Sequence, residues 1–69
     1  MKRKVILYRG EDGYVIDEAP SLQGVISQGK THEEALINIK EAASLHVEVL
    51  RDRGLVVPQD ETEMAEIAI

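Results

Sequence analysis

The stretch PSLQGVISQGKTHEEALINIK, residues 20–40, carries a turn, a strand and the start of a helix without a break. Pro20, Ser21 and Gly24 supply turn chemistry, and Val25 to Gly29 is a short β-prone run. Thr31 and Glu34 then stand three apart, the spacing of a capping box. There the Thr hydroxyl takes an unpaired amide of the first turn and the Glu carboxylate reaches back.

From Thr31 onward the apolar residues follow a helical period. Leu36, Ile39, Ala43, Val47 and Leu50 fall within about 80° of one another on a wheel of 3.6 residues per turn, a stripe expected to face a sheet. Gly54 ends the helix just after Arg51 and Arg53, which suit the negative end of its dipole.

Upstream, Lys2 to Arg9 reads as a strand around Val5-Ile6-Leu7-Tyr8, and Tyr14 to Glu18 as its return. The Gly10-Glu11-Asp12-Gly13 segment between them makes a hairpin the simplest connection, since Gly accepts positive φ. Gly24 to Gln28 is the third strand. Beyond Val57-Pro58, Ala65, Ile67 and Ile69 alternate with Met64, Glu66 and Ala68, the pattern of a short terminal strand. The expectation is an α+β chain in the order βββαβ, one domain over residues 1–69. Its antiparallel meander is covered on one face by the helix, and the last strand crosses over to lie beside the first. The other face of the sheet is left open.

With 69 residues and no Cys, Trp or Phe, the core must come from Val, Ile, Leu and Ala, and no disulfide can staple it. Homo-oligomerisation is the ordinary remaining way to gain burial. A formal charge of −5 argues against a stand-alone nucleic-acid binder, because such binding relies on cations neutralising phosphates. An acidic exterior instead suits a basic protein partner. Lys2, Arg3, Lys4 and Arg9 crowd one end, and Asp60, Glu61, Glu63 and Glu66 the other, so the two ends attract if they lie side by side. No apolar run approaches membrane-spanning length and no signal-like region follows Lys4, which points to a cytoplasmic protein.

Three motifs together resemble the HicB-like antitoxins. They are Pro20-Ser21-Leu22-Gln23-Gly24, Ser27-Gln28-Gly29-Lys30-Thr31 and Glu34-Ala35-Leu36-Ile37-Asn38-Ile39, supported by Gly13-Tyr14 and Val57-Pro58. Gln23 and Val25 depart from the Pro and Cys common in that family. The resemblance implies a partial ribonuclease-H-like βββαβ fold. It also implies a partner, a small basic HicA-like toxin that degrades messenger RNA with a catalytic His and is held away from RNA by the bound antitoxin. Full-length members add a DNA-binding module. This sequence stops after the expected last strand, so a short form without that module, making no direct contact with nucleic acid, is expected.

Catalysis by the chain itself is not expected. Nucleases of ribonuclease-H-like fold hold metal on several carboxylates, one of them on the first strand, and Lys2 to Arg9 has none. Neither His32, beside Glu33, nor His46, at the border of the apolar stripe, has a second ligand at zinc spacing. The glycines match no phosphate-binding pattern. No metal or cofactor is therefore expected.

The residues expected to meet a basic partner are Glu11, Asp12, Asp17 and Glu18, with Tyr8 and Tyr14 as anchors. A smaller apolar strip, Ala42, Leu45 and Val49, lies roughly opposite the sheet-facing one and is a candidate for self-association. The alternative to an antitoxin is an orphan family member that self-associates or binds a small ligand.

Overall fold

The computed structural model describes residues 2–69. Strand β1 (Ile6–Arg9), β2 (Val15–Glu18) and β3 (Ile26–Gly29) precede one helix, α1 (His32–Asp52). The strands form an antiparallel sheet in the order β1-β2-β3, and the α+β expectation holds.

Each connection follows from local chemistry. In the first hairpin the Gly13 N–H donates to the Gly10 carbonyl at 3.1 Å and the Gly10 N–H to Tyr14 at 2.8 Å, with Gly13 at φ 85°. This is a three-residue loop closed by a left-handed glycine. Asp12 Oδ1 accepts from the Tyr14 N–H at 3.1 Å and steadies it. Between β2 and β3 two tight turns follow each other. The Leu22 N–H donates to Ala19, the Val25 N–H to Leu22, and the Ala19 N–H returns to Val25. These bonds pull Leu22 inward, where it is almost fully buried.

Thr31 caps the helix as expected, its Oγ1 accepting from the Glu34 N–H at 3.1 Å. Glu34 reaches back one residue further than the usual box, accepting from the Lys30 N–H at 3.1 Å. At the other end Gly54 donates to Arg51 and Leu55 to Leu50, a Schellman closure around the positive φ of Gly54. Thr31→Ala is expected to lower stability by about 1 kcal/mol, read as a drop in the urea midpoint at unchanged slope.

Register sorts the side chains. Val15 pairs with Arg9 and Gly29, and Asp17 with Leu7 and Ser27, so these residues share one face. A Cβ on Gly29 would point into the first turn of α1, which identifies this as the helix side. Here Ala19, Leu22, Val25 and Ile39 form the buried cluster, with Val5, Ala42, Ala43 and Val47 packed against it.

The helix lies over β3 and β2. As a result its buried stripe is rotated from the expected one. Ala35 and Ile39 are buried and Ala43, Val47 and Leu50 half-buried, whereas Leu36 is 44% exposed. The close approach of Gly29 leaves room only for Ala35 at the sheet, and Leu36 turns outward on the β1 side.

The terminal strand expected at Met64–Ile69 is absent, and with it the fourth strand of a ribonuclease-H-like sheet. The chain does return beside the N-terminus, in the same direction as the residues before β1. Arg3 donates to the Pro58 carbonyl and Lys4 Nζ to the Thr62 carbonyl, both at 2.6 Å. However, the Lys4 backbone N–H is taken by the Asp60 carboxylate and not by a backbone carbonyl, so no ladder starts there. Ala65, Glu66 and Ala68 also have weak strand preference. The Lys4 amide, followed by the Thr62 side chain, holds the Asp60 carboxyl below its ordinary pKa. This attachment therefore weakens as pH falls through the carboxylate range.

Candidate protein-binding site

Among the described residues no layer covers the face of the sheet opposite the helix. Ile6 pairs with Glu18 and Glu18 with Ile26, while Tyr8 pairs with Ile16 and Ile16 with Gln28. Two rows of side chains thus cross all three strands on this side. Ile26 is 59% and Tyr8 47% exposed, while Ile6, Ile16 and Glu18 are half-buried. Ile16 also lies over Gly10, where any side chain would strike its Cδ1. Such a surface combines aliphatic area with an aromatic anchor, the composition found at the centre of protein interfaces.

Glu11 and Asp12 stand exposed at the hairpin tip at one end of this face, and Tyr14, half-buried, immediately precedes β2 beside them. Five of the six residues expected to meet a partner are therefore accessible and gathered on the open face or its hairpin. Asp17 is not. Its side chain is on the helix side, 0% exposed, and neither carboxylate oxygen has a hydrogen-bond partner. Burial raises its pKa. Ile6, Ile16 and Ile26 were missed in the sequence because each interrupts a strand only four residues long. Their shared face becomes visible only once the register is known.

Ala42, Leu45 and Val49 form a second surface. They line a shallow concavity of about 320 Å³ with Gly24, Val25 and Ile26 at the edge of the sheet. His46 is part of the same wall, whereas His32 is exposed at the helix start. The β3 edge, another candidate for pairing between copies, is partly occupied by Asn38 Nδ2, which donates to the Gln28 carbonyl at 2.8 Å. Among the described residues no three His, Asp or Glu side chains cluster as metal ligands. No helix among them is long and apolar enough to cross a membrane.

A family model described as "HicB_like antitoxin of bacterial toxin-antitoxin system" matches residues 5–68. The chain belongs to the HicB-like antitoxin family. It is 46% identical over 63 residues to a UPF0150 protein of Thermoplasma acidophilum, covering 91% of each chain. A UPF0150 protein of Archaeoglobus fulgidus is 36% identical over 52 residues, 75% of each chain. One from Synechocystis is 37% identical over 65 residues, covering 94% of this chain and 82% of the relative. No solved structure matches.

The HicB-like motifs have structural explanations here. Gly24 provides the positive φ of the second turn, Gly29 admits the helix, Thr31 caps it, and Asn38 ties it to β3. The motifs that mark the family thus build the scaffold, while Ile6, Tyr8, Ile16, Glu18 and Ile26 of the open face lie outside them.

Proposed function

We propose that this chain is an antitoxin-type binding module that neutralises a small, basic, HicA-like mRNA-degrading toxin by direct contact in the cytoplasm, with no reaction of its own. The observation that carries this reading is the uncovered sheet face, where Tyr8, Ile16 and Ile26 are flanked by Glu18 and the hairpin acids Glu11 and Asp12. Apolar area there supplies the lasting contact, and the acids speed encounter with a cationic surface and select for it. Family membership supports a toxin partner.

The test is co-purification with the basic product of the adjacent gene, followed by binding measurements on two variants. Tyr8→Ala removes an anchor and is expected to weaken the complex about tenfold or more, mainly through faster dissociation. Glu11→Lys with Asp12→Lys reverses the charge of the hairpin and should instead slow association and flatten its salt dependence. If neither variant changes binding, the open face is not the contact.

The alternative, an orphan that self-associates, is favoured by the juxtaposition of Ala42, Leu45 and Val49 with Ile26. A chain that assembles with itself and binds no toxin would support it.

A further inference from the structure

The side of α1 turned toward β1 holds a groove of about 530 Å³ that none of the described residues fills. Its floor is apolar, with Leu36, Ile39, Ala43 and Val47 from the helix facing Val5 and Ala19. Lys40 and Arg51 stand along the helix rim, and Arg3 closes the end where its guanidinium holds the Ser21 hydroxyl and the Pro58 carbonyl. No carboxylate lines it.

The tail has the complementary character. After Thr62 it carries Met64, Ile67 and Ile69 among Glu63 and Glu66. Met64 and Ile67 are 68% and 83% exposed and Ile69 is fully exposed, so these side chains leave their own molecule uncovered. The radius of gyration, 13.2 Å, exceeds the roughly 11 Å of a compact chain of this length. Lengths agree as well. Leu36 to Arg51 spans about 22 Å of helix, and an extended Met64–Ile69, about 17 Å long, fits within it.

We propose that this groove receives the Met64–Ile69 segment of a second copy of the chain, the two copies exchanging tails in a two-fold dimer. Ile67 and Ile69 enter between Leu36 and Val5, and Glu63 and Glu66 lie toward Lys40 and Arg51. Reciprocal exchange buries both apolar tails and both grooves in one closed assembly and leaves no copy to propagate into a filament. The open sheet face remains free, so the dimer presents two toxin-binding surfaces. The proposal does not depend on the toxin reading, because it is tested on the chain alone.

Sedimentation equilibrium of the full chain is expected to show a dimer. Ile67→Asp with Ile69→Asp should give a monomer with an unchanged far-UV spectrum, since those positions pack against nothing in their own copy. Leu36→Asp should do the same from the groove side. An equimolar mixture of the two variants should regain a dimer, because one sound tail then meets one sound groove.

Three results would overturn the proposal: a monomeric parent, a dimer that survives the tail variant, or variants that fail to complement each other in the mixture. Loss of the dimer only in Leu45→Asp with Val49→Lys would also overturn it and place the contact on the outer strip of α1. Should Leu36→Asp fail to fold, Lys40→Glu with Arg51→Glu replaces it in the mixing experiment.

Discussion

Gly29→Ala is expected to remove most of the stability of this domain. A Cβ at position 29 would sit against the Ala35 backbone nitrogen, 2.8 Å from the Glu34 carbonyl carbon and 2.9 Å from Glu34 Cβ. Two of these are backbone atoms of the first helical turn, and no rotamer change relieves them. Nor can the helix retreat at low cost. Its start is fixed by the Thr31 cap and the Glu34 bond to Lys30, and one turn later Asn38 binds the Gln28 carbonyl.

Overpacking a core costs about 1 to 3 kcal/mol when side chains can shift. With backbone on the far side of the contact, at least the upper end of that range applies. A chain of this length has only about 3 to 10 kcal/mol in total. The expected result is a urea midpoint near zero, or a chain already unfolded at 25 °C by circular dichroism. Gly13→Ala is the control. Nothing lies within 4 Å of its Cβ position, so only the strain of φ 85° is felt, and the loss should be on the order of 1 kcal/mol. Equal losses in the two variants would show that the close approach at Gly29 is not a constraint.

Position 29 also explains why the fold was largely readable in advance. A glycine two residues before a helix cap, an asparagine in the second turn and a proline-glycine double turn each serve one local purpose, and local purposes leave marks at fixed spacing. The three strands, the helix and its two ends are all of this kind. What failed was non-local. The rotation of the helix that exposes Leu36 depends on which strands α1 covers, and no periodicity encodes that. The tail failed for a similar reason. Alternation at Ala65, Ile67 and Ile69 is the same whether a strand pairs in its own sheet or remains unpaired, and the outcome turned on Asp60 occupying the Lys4 amide.

The partner-binding residues were legible as chemistry but not as geometry. Glu11, Asp12 and Tyr8 are exposed because a hairpin tip and an edge strand expose most of what they carry. Asp17 and Glu18 are adjacent, and alternation places them on opposite faces of β2. The sequence names neither face as the buried one. A carboxylate is an unusual choice for the buried side, so the burial of Asp17 is visible only in the structure.

That burial sets the second large effect. Asp17 lies beneath the helix between Leu7 and Ser27, and both of its oxygens lack a hydrogen-bond partner. Arg9, on the same face, turns its guanidinium to the Gly13 carbonyl at 3.4 Å. Burial disfavours the charged form, so the folded-state pKa lies above the ordinary value of about 3.9. Because the folded chain holds this proton more tightly than the unfolded one, protonation stabilises the fold. That contribution is complete below the ordinary carboxylate pKa and is lost as pH rises through the raised value.

Asp17→Asn keeps the shape and removes the charge, and Asp17→Val also removes the unsatisfied polar atoms. An orphaned buried polar group costs about 1 to 3 kcal/mol, more when charged. Asp17→Val is therefore expected to raise neutral-pH stability by an amount in that range. Asp17→Asn should gain less, the gain building as pH rises from the ordinary carboxylate pKa through the raised one and levelling off above it. The difference between parent and Asn variant isolates this group, since the opposite dependence at Asp60 is common to both chains and cancels. Urea unfolding from pH 4 to pH 8 should show the Asn variant drawing ahead of the parent as pH rises. A difference that is flat with pH, or one favouring the parent at pH 8, would mean that the Asp17 carboxylate is satisfied in solution, and so that the helix does not seal this side of the sheet.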